Sequence, residues 1–102
     1  METHVLRSKL TDAIREIQDM SGDSLPDDFG DEDANNHLGE ISNFDSMRGA
    51  EVSSRLSRKV GCDIEDLVPL FDPQSYDGVE HFDEIEVSQV VNHLDEIVSN
   101  KQ

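Results

Sequence analysis

Three separate blocks of this chain repeat apolar residues at intervals of three and four, and no useful length of strand-like alternation lies between them. Such spacing puts each block's apolar side chains on one face of a helix. Leu6, Leu10, Ala13, Ile14 and Ile17 mark the first block, with Thr3 read as its N-cap, and predict a helix over 4–20. Met47, Ala50, Val52, Leu56 and Val60 form the buried stripe of the second, which opens at Asp45 or Ser46, both good capping residues, and ends at Gly61. Val87, Val90, Val91, Leu94 and Ile97 or Val98 mark the last, closed by the polar Ser99, Asn100 and Lys101. Between the second and last blocks, Asp63 caps a short turn through Ile64, Leu67 and Val68, which Pro69 limits by removing a backbone donor.

Two stretches interrupt the helical pattern. Residues 21–45 hold Pro26, Gly30, Gly39 and eight acidic residues with no Lys or Arg, and read as a long acidic loop pinned to the core by Leu25, Phe29, Leu38 and Ile41. Residues 72–84 contain the turn-forming pairs Asp72-Pro73 and Asp77-Gly78, with Tyr76, Val79 and Phe82 available to cover the core, and read as an irregular connection. No internal repeat or low-complexity tract is visible. The expected fold is all-α: a small four-helix bundle with three longer helices, one short third helix and a long loop between the first two.

A length of 102 residues fits one domain, 1–102, with one hydrophobic core. With only five aromatics, that core is built mainly from Leu, Ile, Val and Met. No apolar run reaches the roughly 18 residues of a membrane span, and the N-terminus lacks the basic-then-apolar order of a signal peptide, so a cytoplasmic protein is expected. Cys62 stands alone and can form neither an internal disulfide nor a multi-cysteine metal site. A formal net charge of −16 repels phosphate backbones and anionic lipid, which makes nucleic acid and membranes poor partners. Proteins with basic docking patches are the better match, although simple solubility also explains an acidic surface.

Ser46 carries the most specific signal. In Asn43-Phe44-Asp45-Ser46-Met47 a hydroxyl stands in the first turn of a helix, preceded by an acid and followed by a large apolar residue. Asp-Ser-Met opening an amphipathic helix, with Glu51 five residues and Leu56 ten residues after the serine, resembles the acyl carrier protein family and its peptidyl and D-alanyl relatives. The likeness continues through Val60 and Ile64 and from Val87 to Leu94, leaving out the two long loops. It implies a bundle of acyl-carrier-protein type that catalyses nothing and binds no metal. A phosphopantetheinyl transferase would attach 4'-phosphopantetheine covalently to Ser46, with Asp45 auxiliary to the transfer. Acyl- or aminoacyl-loading and processing enzymes would then dock on Met47, Arg48, Glu51 and Arg55 of a monomeric carrier. The physics agrees, because a phosphodiester at a helix N-terminus meets unpaired N–H groups and the positive end of the dipole.

Arg48, Arg55, Arg58 and Lys59 make the second helix basic where the family is commonly acidic, and Glu86 stands where a hydroxyl residue often precedes the last helix. The basic face points to a specialised biosynthetic pathway; the alternative is that these side chains pair with acids on the long loop or neighbouring helices. As a cap alone, Asp45-Ser46 needs no modification, and an unmodified carrier-like domain serving as an acidic protein-interaction module is the competing function.

Other signals are weaker. Gly22-Asp23-Ser24-Leu25 mimics both a hydrolase motif and the attachment motif, but Pro26 follows and the flanking loop is too polar to continue a helix. Asp31, Asp33 and Asn35 begin like a calcium loop, but Asn36 stands where glycine is needed and Ser42 where the bidentate Glu belongs. His4, His37, His81 and His93 show no paired ligand spacing, and Cys62 reads as a partly buried, inert thiol.

Overall fold

The computed structural model describes residues 2–31 and 36–101, and among them every regular element is a helix or a 3₁₀ turn. The first helix, α1, runs Thr3–Met20. Leu6, Leu10, Ala13, Ile14 and Ile17 are all buried along it, with Thr11 and Gln18 beside them. Glu2, not Thr3, occupies the cap position, and no side chain bonds there. The first-turn amides of Val5 and Leu6 donate instead to the Glu2 carbonyl, both at 3.1 Å, which draws Thr3 into the helix.

Ser46–Val60 form α2. Its buried row is Gly49, Val52, Ser53, Leu56 and Ser57, whereas Met47 is 74 % exposed and Ala50 also faces outward. The stripe expected from apolar residues alone is therefore rotated. Small residues complete the core-facing row because the next segment packs directly on the helix backbone: a Cβ on Gly49 would lie 3.1 Å from Phe71 Cβ and Cγ, and Ser53 Oγ donates to the Leu67 carbonyl at 3.4 Å. Gly61 ends α2 in the left-handed region, at φ +73°, as its place after the last apolar residue predicts.

Helix α3 is a single turn, Ile64–Leu67, and Asp63 makes no side-chain cap bond. The chain then tightens into a 3₁₀ turn over Val68–Phe71, with Pro69 in its first half. A proline has no N–H to continue an α-helical ladder, and the shorter turn tolerates that loss. Leu67, Leu70 and Phe71 point into the core, while Ile64 and Val68 remain on the surface. Helix α4 spans Val87–Lys101 and continues through the polar residues expected to end it. Val98 is buried there, and Ile97 packs at the edge of the core.

The described residues of the two loops pack more closely on the core than their composition suggests. Leu25, Phe29, Leu38 and Ile41 are buried, and Tyr76, Val79 and Phe82 pack against the core. Residues 72–84 contain 3₁₀ turns at Pro73–Ser75 and Phe82–Glu84. A short internal repeat also emerges. His37-Leu38-Gly39-Glu40-Ile41 and His81-Phe82-Asp83-Glu84-Ile85 fold alike, each around a 3₁₀ turn whose glutamate accepts the histidine amide. The two turns pack together, because Gly39 leaves room for Asp83 and the Leu38 amide donates to the Ile85 carbonyl at 2.8 Å. A second bond, from the Val87 amide to the Asn36 carbonyl at 2.9 Å, fastens the long loop to the start of α4. α1 packs against both α2 and α4, and one continuous hydrophobic cluster joins all four helices to the loops.

Candidate functional site

Asp45 caps α2 in extended backbone conformation, and its Oδ1 accepts the Arg48 amide at 2.9 Å. The Gly49 amide goes to the Asp45 carbonyl, also at 2.9 Å. The Ser46 and Met47 amides precede any intrahelical acceptor, so they are the donors left at the helix mouth. Ser46 is therefore the first helical residue rather than the cap, and it is exposed. Its hydroxyl stands at the positive end of a fifteen-residue helix.

Beside Ser46 opens a cleft of 260 Å³ lined by Ala50 of α2 and by Val68, Phe71, Asp72 and Pro73 from the segment after α3. Its wall is largely apolar. The segment reaches Ser46 because Gly49 and Ser53 let it lie against α2, so the same small residues that rotate the buried stripe also build the cleft.

Met47 and Glu51 are exposed on α2. Arg48 and Arg55 are engaged within the chain. Arg48 Nη1 lies 2.9 Å from Asp23 Oδ2 and donates to the buried Gln18 Oε1 at 2.9 Å. Gln18 Nε2 in turn donates to the Ser42 carbonyl at 2.7 Å, and Asn43 Nδ2 donates to Asp23 Oδ1 at 3.1 Å. Arg48 thus braces the acidic loop onto α1 and α2, and its guanidinium hydrogen bond, with help from Asn43, holds the Asp23 carboxyl below its ordinary range. Glu16 of α1 accepts from both Lys59 Nζ, at 2.7 Å, and Arg55 Nη1, at 3.1 Å, and the Lys59 hydrogen bond is the main cause of its lowered pKa. Three of the four basic residues of α2 therefore pair with acids on the loop or on α1. Arg58 stays exposed and lines a shallow groove with Ile17, Met20, Glu51, Ser54 and Arg55.

The chain matches no protein-family model, no curated protein and no solved structure.

Ser24 is exposed but lies outside any helix, between the end of α1 and the buried Leu25. Of the calcium-loop residues, Asp33 and Asn35 lie outside the described residues, Asp31 is exposed, and Asn36 Oδ1 accepts the Gly30 amide at 3.0 Å. Among the described residues no three His, Cys, Asp or Glu side chains gather as metal ligands, and no helix is long and apolar enough to cross a membrane. Cys62 is buried at the end of α2. His93 Nδ1 lies 3.3 Å from the hydroxyl of Tyr76, which donates to the Leu70 carbonyl and whose pKa burial raises.

The sequence reading did not place Asp23 or Gln18 beside Arg48, nor Val68, Phe71, Asp72 and Pro73 beside Ser46. Gln18 had a signal: four residues beyond Ile14 on the apolar face of α1, it is a polar side chain in a core row and must find partners there. The cleft had none, because its two walls are far apart in the chain.

Proposed function

We propose that this chain is a non-catalytic carrier of acyl-carrier-protein type, in which Ser46 receives 4'-phosphopantetheine from a transferase and the arm holds an acyl or related group as a thioester. The observation that carries the reading is the placement of Ser46: an exposed hydroxyl in the first turn of α2, with two uncommitted helix amides behind it and an apolar cleft beside it. The amides and the helix dipole favour the phosphodiester, and the cleft offers the apolar cargo a place out of water. Asp45 is committed to the cap through one carboxylate oxygen, which leaves the other to assist the transferase. With Arg48 and Arg55 engaged internally, processing enzymes would meet Met47, Glu51 and Arg58 first. The specialised biosynthetic pathway and the cytoplasmic location belong to the same proposal, and with three of the four basic side chains of α2 paired internally the pathway rests on the exposed Arg58 alone.

Intact mass tests it. Incubation with coenzyme A and a broad-specificity phosphopantetheinyl transferase is expected to add one phosphopantetheine; Ser46→Ala abolishes the addition and Ser24→Ala leaves it intact. No addition to the wild-type chain would sink the proposal and leave the unmodified interaction module in its place.

A further inference from the structure

Gln89, Asn92, His93 and Glu96 recur at intervals of three and four along α4, on the side away from the buried Val87, Val91, Leu94 and Val98. There they meet Ser75 and Tyr76 of the 72–84 connection, and together these side chains line an open cleft at the surface. Its polar groups are oriented by a short relay. Tyr76 donates its one hydroxyl proton to the Leu70 carbonyl at 2.6 Å. His93 Nδ1 lies 3.3 Å from the same hydroxyl oxygen, which has no second proton to give, so Nδ1 carries the hydrogen of that contact. In the neutral ring Nε2 is then left as an acceptor. The two rings pack edge to face, centroids 5.6 Å apart and planes at 86°, which holds the imidazole in place. Glu96 is exposed and pairs with no cation among the described residues. Ser75 and Asn92 are exposed beside it. From Gly61 to Asn100 the chain has no Lys or Arg, so the cleft holds acceptors, one carboxylate and two rings, with no cationic donor of its own.

We propose that this cleft binds a guanidinium group, with Glu96 as its ion partner, His93 Nε2 as a neutral acceptor and Tyr76 as the aromatic wall. A guanidinium has N–H donors on every side and no acceptor, so it complements acceptors spread around a cleft. Being flat and weakly hydrated, it also gains more from an aromatic wall than an ammonium does. Tyr76 is a positioning residue as well, because its hydroxyl decides which imidazole nitrogen faces a ligand as an acceptor. The cleft shares no lining residue with the one beside Ser46, and the inference does not rest on the reading of that serine.

Titrations of the isotope-labelled chain, followed by amide NMR, test the proposal with two guanidinium probes: free ethylguanidinium and a capped Gly-Arg-Gly peptide. Both are expected to give saturable shifts centred on residues 75–76 and 89–96. A peptide that binds more tightly than ethylguanidinium identifies the source as an arginine side chain of a partner protein; otherwise the source is a free guanidino compound. The same peptide with citrulline, which keeps the shape and loses the charge, is expected to bind about tenfold more weakly, with a lysine peptide between the two. Glu96→Gln weakens both guanidinium probes by up to about fivefold, the upper range for an exposed ion pair. His93→Phe keeps a ring and removes the acceptor, and it too weakens both. Glu65→Gln, in the same acidic stretch but outside the cleft, leaves both affinities unchanged. Equal binding of the citrulline peptide, shifts scattered over the acidic surface, or equal losses in Glu65→Gln and Glu96→Gln would reduce the effect to general attraction by an acidic chain and overturn the site. The absence of saturable shifts with either guanidinium probe overturns it as well, and each of these results leaves the carrier reading of Ser46 standing.

Discussion

Arg48 follows the exposed serine by two positions, yet its guanidinium turns inward to Asp23 and to a glutamine that is 0 % exposed. Its removal orphans the buried Gln18 Oε1, and leaving such an acceptor unpaired costs about 1–3 kcal/mol. Arg48→Ala is therefore expected to lower the denaturant midpoint clearly. Asp23→Asn costs less, because an amide still bonds the guanidinium, and the double variant loses less than the sum of the two singles. Urea titrations of the three proteins check this; strict additivity would show that Arg48 and Asp23 do not act together. Asp45 serves both as cap and, on the carrier reading, as helper to the transferase. Asp45→Asn keeps a good capping side chain and removes the charge, so the melting temperature should hold while the initial rate of phosphopantetheine addition falls. Asp45→Ala should lower both, with a stability cost of about 1 kcal/mol.

At the scale of elements, α2 is delimited by its ends and oriented by its small residues. Gly61 adopts φ +73° with open space around its missing side chain, so an alanine there meets no clash and pays only the backbone penalty. Gly61→Ala is expected to destabilise by about 1–2 kcal/mol in chemical denaturation, and a neutral result would mean that the helix end relaxes into another conformation. Both ends of α2 were legible in the residues themselves, because capping and left-handed glycine are local physics. The buried face was not. Met47 and Ala50 fit helical spacing as well as Gly49 and Ser53 do, and only the packing of the Val68–Phe71 turn on the glycine decides which row faces inward. The site divides in the same way: Asp45 and Ser46 stand where the sequence places them, whereas the apolar wall beside Ser46 is made by a segment more than twenty residues away.

The whole molecule carries a net charge of −16, and three of its eight Lys and Arg residues, Arg48, Arg55 and Lys59, join α2 to the acidic loop or to α1. Glu16 and Asp23 both have folded-state pKa values below their ordinary ones, so the unfolded chain binds protons more readily. Their contribution to stability is thus fully present above the unfolded values, near pH 4, and is lost as the pH falls through the folded ones. Stability measured by denaturant should decline on acidification through this window, and Glu16→Gln should flatten the decline. Added salt acts in the opposite sense near neutral pH, where screening relieves the general repulsion more than it weakens contacts as close as Lys59–Glu16, so the melting temperature should rise with sodium chloride. The pentapeptide pattern shared by the two 3₁₀ turns shows how far local residues reach. His93-Leu94-Asp95-Glu96-Ile97 follows it too, yet lies within α4. Sequence alone determined that the chain makes helices, where α2 starts and stops, and that one serine stands at a helix mouth, because spacing and capping act over a few residues. Tertiary structure alone decided which face of α2 is buried, that most of its basic residues turn inward, and that a cleft adjoins the serine, because each depends on segments brought together only when the apolar surface leaves water.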